Sequence, residues 1–269
     1  MSLFLIEIHL TYWNTSMKAQ FILLLLILIY HSAFTQGDYP GSPCIGTGGS
    51  IWLKTLPQKK EVKDFYIQTC FLGSAEATSQ LKASGKAPIS IKDPTFKKPD
   101  DFEEWEGDGV YDAWTCMYGA NAAMDNNKAT AWVEGVEGDG KGELLLLPEI
   151  NLSKKVEIVS GYGKSDALFK ANNRPKNITL YILKAKPVYA GQAECGSAYE
   201  SLVLVASVKA TLKDVNAYQP LTLPSYKKET YLHEVQIMGY EYWLMIEIID
   251  VYPGTKYQDT CISEIRNVK

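Results

Sequence analysis

Apolar and polar residues alternate with a period of two along much of the C-terminal part of the chain. Ile178, Leu180 and Ile182 share one face of such a stretch, whereas Thr179 and Tyr181 lie on the other. Because successive side chains of a strand point to opposite faces, this alternation predicts strands with one buried and one half-solvated face. Comparable stretches are 156–160, 201–212 and 242–251, and a continuous apolar run lies within 143–147. Strands at such short intervals predict an all-β sandwich.

The clearest helical signal is short and covers 165–170. Ser165 stands where an N-cap residue is expected, directly before Asp166 and a short apolar stretch. The residues 186–200 separate two predicted strands and have the composition of an insertion. We therefore expect few helices in the sandwich.

The first 36 residues have the pattern of a secretory signal. Met17-Lys18 precedes an apolar run at 21–30 and small or polar residues at 32–36. A spanning helix needs about 20 apolar residues, so a cleaved signal that starts at Met17 is favoured over a membrane anchor. The alternative is a signal-anchor that uses this apolar run together with the apolar residues before Met17. The prediction is a protein that is secreted or lies in the cell envelope or periplasm, without membrane insertion.

The mature chain is predicted to have two parts. Residues 37–109 are rich in turn residues with short strand-like runs, which predicts a small β-rich unit that ends in an acidic linker at 100–109. The sandwich occupies 110–269. Removal of 1–36 takes away one acid and one base, so the net charge stays at −4. That charge gives no electrostatic reason to bind nucleic acid or anionic lipid.

Residues that catalysis commonly uses are scarce in the mature part. His9 and His31 fall in the predicted signal, and the remaining histidine, His233, lies in a polar stretch that predicts a surface position. A Ser-His-Asp, Cys-His or multi-histidine metal site would depend on that one residue. The sequence therefore predicts a protein that is not an enzyme. The five cysteines favour two disulfides and one thiol in an oxidising compartment.

Three segments, in their order and spacing, resemble the discoidin-like (coagulation-factor type C, galactose-binding-like) β-sandwich. They are 130–143, 161–165 running on to 172–176, and 251–265. The resemblance covers about 112–269 and is closest to the translocation and glycan-binding domain of a bacterial NAD glycohydrolase toxin. It implies a jelly-roll sandwich. The NAD-cleaving activity of that toxin resides in a separate domain and is not implied for this chain.

The resemblance also implies how the chain ends are joined. Because the first and last strands of this sandwich run close together, we expect a disulfide between Cys116 and Cys261. Cys44 would then pair with Cys70 and leave Cys195 unpaired.

A structural calcium ion is a further implication of the resemblance. The corresponding ligands are Asp125, Thr130 and Glu264, together with loop carbonyls, a set of oxygens that suits Ca²⁺. The usual Asp-Gly of such loops is Asp125-Asn126 here, and Asn tolerates a left-handed backbone. The alternative is that Asp125 only caps its own loop by accepting backbone amides.

A ligand site is predicted where two interstrand segments meet at one end of the sandwich. Aromatic faces and bidentate polar groups are suited to sugars, and such a cleft is a fair ligand site. In the alternative interpretation, Arg174 pairs with Asp259 or Asp166, and Tyr162 and Tyr252 pack under the loops. The predicted ligand-binding residues are Tyr162, Lys164, Asn172, Asn173, Arg174, Tyr252, Lys256, Tyr257 and Asp259.

The Gly-rich acidic loop 134–143 invites comparison with phosphate-binding loops. It lacks the Lys-Ser/Thr ending of a P-loop, and its carboxylates would repel phosphate, so a solvated loop is predicted. The resulting hypothesis is a secreted, non-catalytic module that binds a glycan or another cell-surface ligand. The alternatives are a structural or adhesion protein that makes protein–protein contacts and a hydrolase that uses a carboxylate pair.

Overall fold

The computed structural model describes residues 50–68, 75–89, 94–95, 97, 109–188 and 196–268. The chain separates into two compact units, Met1–Gly41 and Ser42–Lys269, and all described residues belong to the second. The predicted signal and most of the predicted acidic linker lie outside the described residues. Within the described ranges, no helix has the length and apolar character that crossing a membrane requires.

Strands make up most of the regular structure. Within the described residues, the α-helices are α1 (Leu56–Lys59), α2 (Gly109–Thr115) and α3 (Asp166–Ala171), and 3-10 turns cover Ile51–Thr55 and Ala120–Ala123. The strands are β1 (Glu61–Gln68), β2 (Glu76–Ala77), β3 (Trp132–Val133), β4 (Leu144–Leu147), β5 (Val156–Ser160), β6 (Arg174–Pro187), β7 (Gly196–Thr211), β8 (Gln219–Leu221), β9 (Thr230–His233), β10 (Gln236–Gly239), β11 (Glu241–Tyr252) and β12 (Cys261–Asn267).

The strands form two principal sheets. One has six strands in the order β1-β7-β6-β11-β4-β2, the other has four in the order β3-β12-β5-β8, and β9 and β10 form a separate hairpin. All pairings between these strands are antiparallel. This arrangement confirms the predicted β-sandwich class.

The main core lies between the two sheets and takes its side chains from both. Ile178, Leu180 and Ile182 of β6, predicted to share one face, all belong to this core. Its members include Leu145, Ile158, Ile178, Leu180, Ile182, Leu244, Ile246 and Ile262.

A second core lies on the other face of the six-stranded sheet. Trp243 and Met245 lie on the face of β11 predicted to be half-solvated, yet they are only 2% and 0% exposed. They are covered by Leu53, Leu56 and other residues from the N-terminal side of the described chain. The prediction of a half-solvated second face is therefore wrong for the part of this sheet on which a preceding segment packs. It holds for the rest of β7, where Val205, Ser207 and Lys209 are exposed.

Aromatic rings make up much of this second core. The Phe65 ring stacks on Tyr199 at a centroid distance of 5.1 Å. Trp243 meets the Tyr199 ring edge-on at 4.7 Å. Edge-on and stacked ring pairs are favourable geometries beyond their buried area, so the segment that carries Phe65 is firmly attached.

The described strands of 50–89 extend the sandwich and do not form a sheet of their own. β1 pairs with β7, and β2 pairs with β4. This differs from the separate β-rich unit predicted over 37–109. The physical reason is visible in the run Leu144–Leu147, which is buried at every position. A strand that is apolar on both faces needs cover on both faces.

The short helix α3 forms as predicted. The Ser165 hydroxyl accepts a hydrogen bond from the Leu168 amide at 3.2 Å, which is the geometry of an N-cap. This cap fixes the point at which the chain leaves β5 and begins the loop that leads to β6.

The predicted disulfide between Cys116 and Cys261 is wrong. Cys261 is a free thiol that is fully buried at the start of β12, whereas Cys116 is disulfide-bonded to a different partner. Closeness of the first and last strands does not bring these two side chains together. Burial raises the pKa of the Cys261 thiol, so the thiol stays protonated and inert. The predicted Cys44–Cys70 pair lies outside the described residues.

Candidate functional site

Three loops meet at one end of the sandwich. They are 161–174, 212–218 and 252–260, which we call the loop-end rim. Gly161 bridges to Ile262, and Asn173 bridges to Thr260, so the two predicted segments both adjoin the start of β12. The structure therefore brings the two predicted ligand-binding segments together.

Arg174 is the centre of the loop-end rim. Its side chain is buried, and its Nε and Nη2 donate to the two carboxylate oxygens of Asp214 at 3.0 and 2.9 Å. Its Nη1 donates to the carbonyls of Asn172 and Pro253 at 2.9 and 3.0 Å. One guanidinium thus ties all three loops together, and its donors are used inside the protein.

Asp214 is a residue of the loop-end rim that sequence reasoning missed. It also receives Lys170, at 3.0 Å. Burial acts to raise its pKa, but hydrogen bonds from Lys170 and Arg174 outweigh burial and hold the pKa below its usual value. The predicted pairing of Arg174 with Asp259 or Asp166 is therefore wrong. One feature of the sequence could have pointed to Asp214 as a partner of Arg174: it is the only acid between Glu200 and Glu229.

Asn172 and Asn173 have internal partners. The Asn173 amide nitrogen donates to the Gln258 carbonyl at 2.5 Å, and its oxygen accepts the Gly254 amide at 2.6 Å. The Asn172 side chain donates to the Leu168 carbonyl at 2.9 Å. Both side chains hold loop backbones in place, so these residues position the loops of the rim.

The two tyrosines of the alternative interpretation are partly packed. Tyr252 donates its hydroxyl to the Leu212 carbonyl at 3.0 Å. Tyr162 is half-buried against the small apolar cluster of Ala131, Val133 and Cys261, and burial raises the pKa of its hydroxyl. These contacts agree with the alternative interpretation, in which Tyr162 and Tyr252 pack under the loops.

The remaining predicted residues reach solvent. Lys164 and Lys256 are exposed, Tyr257 is 41% exposed, and Asp259 is half-buried. The Lys256 ammonium lies 4.9 Å from the centre of the Tyr257 ring. An outer layer of two cations and one aromatic ring therefore stands on an inner layer of satisfied polar groups.

The Gly-rich loop differs from the solvated loop that the sequence predicts. Glu134 is fully buried, and its two oxygens accept the amides of Thr260 at 3.0 Å and Val136 at 2.9 Å. Burial raises the pKa of this carboxyl to about 7 despite those amides. Gly140 lies so close that an added Cβ would be 2.5 Å from the Glu134 side chain. The loop is packed against 252–260.

The predicted calcium loop has the expected backbone. Asn126 adopts a left-handed conformation with φ of 61°. Asp125 accepts the Asn127 amide at 2.9 Å and the Thr130 hydroxyl at 2.6 Å. Asp125 therefore caps its own loop, as the alternative interpretation states. Thr130, predicted to bind the same ion, is in hydrogen-bond contact with Asp125.

Glu264 lies beside the same loop and is fully buried. Neither of its carboxylate oxygens has a hydrogen-bond partner in normal geometry. Burial and the negative charge of Asp125 raise its pKa to about 7, although the nearby amides of Asn127 and Asn126 act in the opposite direction. A buried carboxylate without a partner is costly, and a cation is one group that would compensate for it.

A cavity of about 330 Å³ adjoins the loop of Asp125. Its walls are mainly apolar and include Met117 and Met124, with Thr130 and Glu149 at its edge. In the ranges that the structure describes, no three His, Cys, Asp or Glu side chains cluster in a way that could hold a metal ion. A cation at Asp125 would therefore need hydroxyl and carbonyl oxygens as well as carboxylates.

The hydrolase alternative finds no support from Glu134 and Glu264, the two carboxyls whose pKa burial raises to about 7. Glu134 and Glu264 are both fully buried. Neither carboxyl reaches a surface where a glycan could be bound, which a catalytic carboxylate pair requires.

Comparisons with known proteins place the sandwich in a family. Residues 111–267 match the family described as NAD glycohydrolase translocation F5/8 type C domain. No curated protein matches the chain.

Two solved structures are similar in part. A GH29 fucosidase of Ruminococcus gnavus in complex with fucose has 13% identity and a TM-score of 0.29, over 73% of this chain and 25% of that chain. The arabinofuranosyltransferase AftD from mycobacteria has 13% identity and a TM-score of 0.28, over 71% of this chain and 11% of that chain. This chain spans a quarter or less of either protein, and neither likeness bears on function.

The family match covers more than half of the chain and includes all three loops of the loop-end rim. The protein therefore belongs to the family of NAD glycohydrolase translocation F5/8 type C domains.

Proposed function

We propose that the protein is a non-catalytic binding module that acts outside the cytoplasm and recognises a carbohydrate or another cell-surface ligand through the loop-end rim. Membership of an F5/8 type C family supports a binding role. The observation that carries the proposal is the two-layered construction of the rim. Buried Arg174 and Asn173 fix the loops, and Tyr257 and two lysines stand above them in solvent.

Fixed loops favour binding for an energetic reason. Ordering a mobile loop on binding subtracts from affinity, and a loop that is already held in place avoids that cost. The exposed Tyr257 ring offers a flat apolar surface of the kind that packs on the C–H face of a sugar. The rim thus supplies a rigid base and an aromatic contact.

A glycan array, followed by calorimetric titration of the strongest ligand, tests this function. Tyr257→Ala is expected to weaken binding about tenfold, because it removes an aromatic contact worth about 1 kcal/mol or more. Binding of no glycan above background would remove the carbohydrate proposal.

A second candidate function is adhesion through protein–protein contact, and the β9–β10 hairpin favours it. Leu232, Val235 and Ile237 are 71%, 91% and 76% exposed, and Leu232 pairs directly with Ile237 across the hairpin. Exposed apolar groups of this kind mark interaction sites. The double variant Leu232→Ser with Ile237→Ser serves as the control, since it should leave glycan binding unchanged. Loss of attachment to whole cells in this variant, with glycan binding intact, would favour adhesion through protein contacts.

We also infer that a calcium ion joins the loop of Asp125 and Thr130 to Glu264. The unpartnered Glu264 carboxylate and the neighbouring Asp125 supply the charge, and the hydroxyl and loop carbonyls supply further oxygens. When bound, the ion would neutralise these carboxylates and fasten the loop to β12, without a part in catalysis.

Calcium is expected to raise the melting temperature of chelator-treated protein at pH 8, where a carboxyl with a pKa of about 7 is ionised. At one hundred times the dissociation constant the ion adds about 2.7 kcal/mol of stability, which corresponds to about 5–10 °C. Glu264→Gln should abolish the calcium effect without destabilising the metal-free protein, since it removes a buried charge. Glu157→Gln, on neighbouring β5, should keep the effect. An equal calcium shift in the Glu264 variant would contradict the site.

A further inference from the structure

The charge of the loop-end rim is opposite to that of the whole chain. Its three loops carry five basic and three acidic side chains, whereas the chain as a whole has a net charge of −4. The basic residues are Lys164, Lys170, Arg174, Lys213 and Lys256, and the acidic ones are Asp166, Asp214 and Asp259.

Two of the three acids of the rim have partners within it. Asp214 binds Arg174 and Lys170. Asp166 accepts the Asn216 side-chain amide at 2.9 Å. The third, Asp259, is half-buried, and its negative charge acts on the inner groups Glu134 and Cys261.

Three cations of the rim, in contrast, have no acid partner. Lys164, Lys213 and Lys256 are exposed, and none of them makes an ion pair with another residue in the described part of the chain. Their positive charge is therefore available to a ligand.

The placement of two of these lysines suits a ligand with more than one charged group. Lys164 lies just before helix α3, and the Lys256 amide donates to the carbonyl of Ala171, the last residue of that helix. A helix of six residues is about 9 Å long, so the backbones of the two lysines lie at opposite ends of this helix. The exposed Tyr257 ring lies beside the second lysine.

We propose that the ligand of the loop-end rim is an anionic glycan, with sulfate or carboxylate groups that bind Lys164 and Lys256 and a sugar face that packs on Tyr257. This inference rests on the proposed function and narrows its ligand class. Nucleic acid is less well matched, because the protein as a whole is acidic and phosphate binding depends on many cationic contacts.

The test compares chondroitin sulfate and sialyllactose with lactose, and uses single-stranded DNA as a second polyanion, all at about 0.15 M salt. The double variant Lys164→Ala with Lys256→Ala is expected to lose about tenfold in affinity for the anionic glycans. The matched control is Lys154→Ala with Lys155→Ala. These two exposed lysines precede β5, at the end of that strand away from the rim, and their loss should change affinity by less than about twofold.

Each outcome separates the two proposals. Preferential binding of the anionic glycans, lost only in the rim variant, supports the inference. Equal binding of lactose and the anionic glycans overturns the inference and leaves the proposed function intact. DNA binding as tight as glycan binding, with the same loss in the rim variant, overturns the glycan assignment. Binding of none of these ligands, and of no glycan on the array, overturns the proposed function itself.

Discussion

A fragment that begins at Gly109 is expected to lack a cooperative unfolding transition and to bind hydrophobic dyes, although it contains the whole family match. Removal of the preceding residues uncovers one face of the six-stranded sheet. Its apolar side chains would each lose about 1.5–3 kcal/mol of burial energy. Summed over the face, that loss is comparable with the entire stability of a typical domain, about 5–15 kcal/mol. The uncovered side chains include Leu144, Leu146, Leu183, Leu202, Trp243 and Met245.

Circular dichroism during thermal unfolding measures this effect. The control is the chain from Ser42 to Lys269, the compact unit, and both proteins are compared under reducing conditions so that loss of a cysteine partner plays no part. A cooperative transition at the same temperature in both proteins would show that the second core contributes nothing to the stability of the sandwich.

Arg174→Met is expected to lower the free energy of unfolding by about 3 kcal/mol, because buried carbonyls lose their donor and Asp214, which is 30% exposed, keeps only Lys170. The substitution leaves Asp214 without its bidentate partner and the carbonyls of Asn172 and Pro253 without a donor. Urea denaturation followed by fluorescence gives the difference.

Arg266→Met is the matched control for this measurement. Arg266 also pairs with an acid, Glu157, at 2.8 Å, but its side chain is 28% exposed against 5% for Arg174. Both residues of this pair are half-buried, and Arg266 holds no backbone carbonyl in the described residues, so the substitution is expected to cost less, about 1 kcal/mol. Equal costs for the two substitutions would mean that burial of Arg174 has no special role.

The sandwich can be predicted from sequence because its strands alternate with a period of two. The same rule fails for the second face of β11, where Trp243 and Met245 are buried. Alternation indicates which residues share a face, but it does not reveal whether a distant segment covers that face. The N-cap at Ser165 is predictable because its partner is three residues away.

Within the candidate site, the segments are predictable and the contacts are not. Arg174 stands out in the sequence, but its partner Asp214 is 40 residues away in a turn without a motif. Glu134 is predicted to lie in solvent because its neighbours are glycines and acids, whereas the fold buries it against Thr260. The cysteine pairing fails because Cys116 directly follows helix α2 and lies on no strand, so the closeness of the first and last strands does not decide its partner.

The shared guanidinium at the end of the sandwich limits how recognition could change over time. An insertion or deletion in any one of the three loops would disturb the other two through Arg174. Substitution at outward positions such as Lys164 or Tyr257 disturbs nothing beneath them. A change in the ligand that is bound should therefore arise by substitution of exposed side chains on an unchanged backbone. Among relatives, we expect these side chains to vary while the lengths of the three loops stay constant.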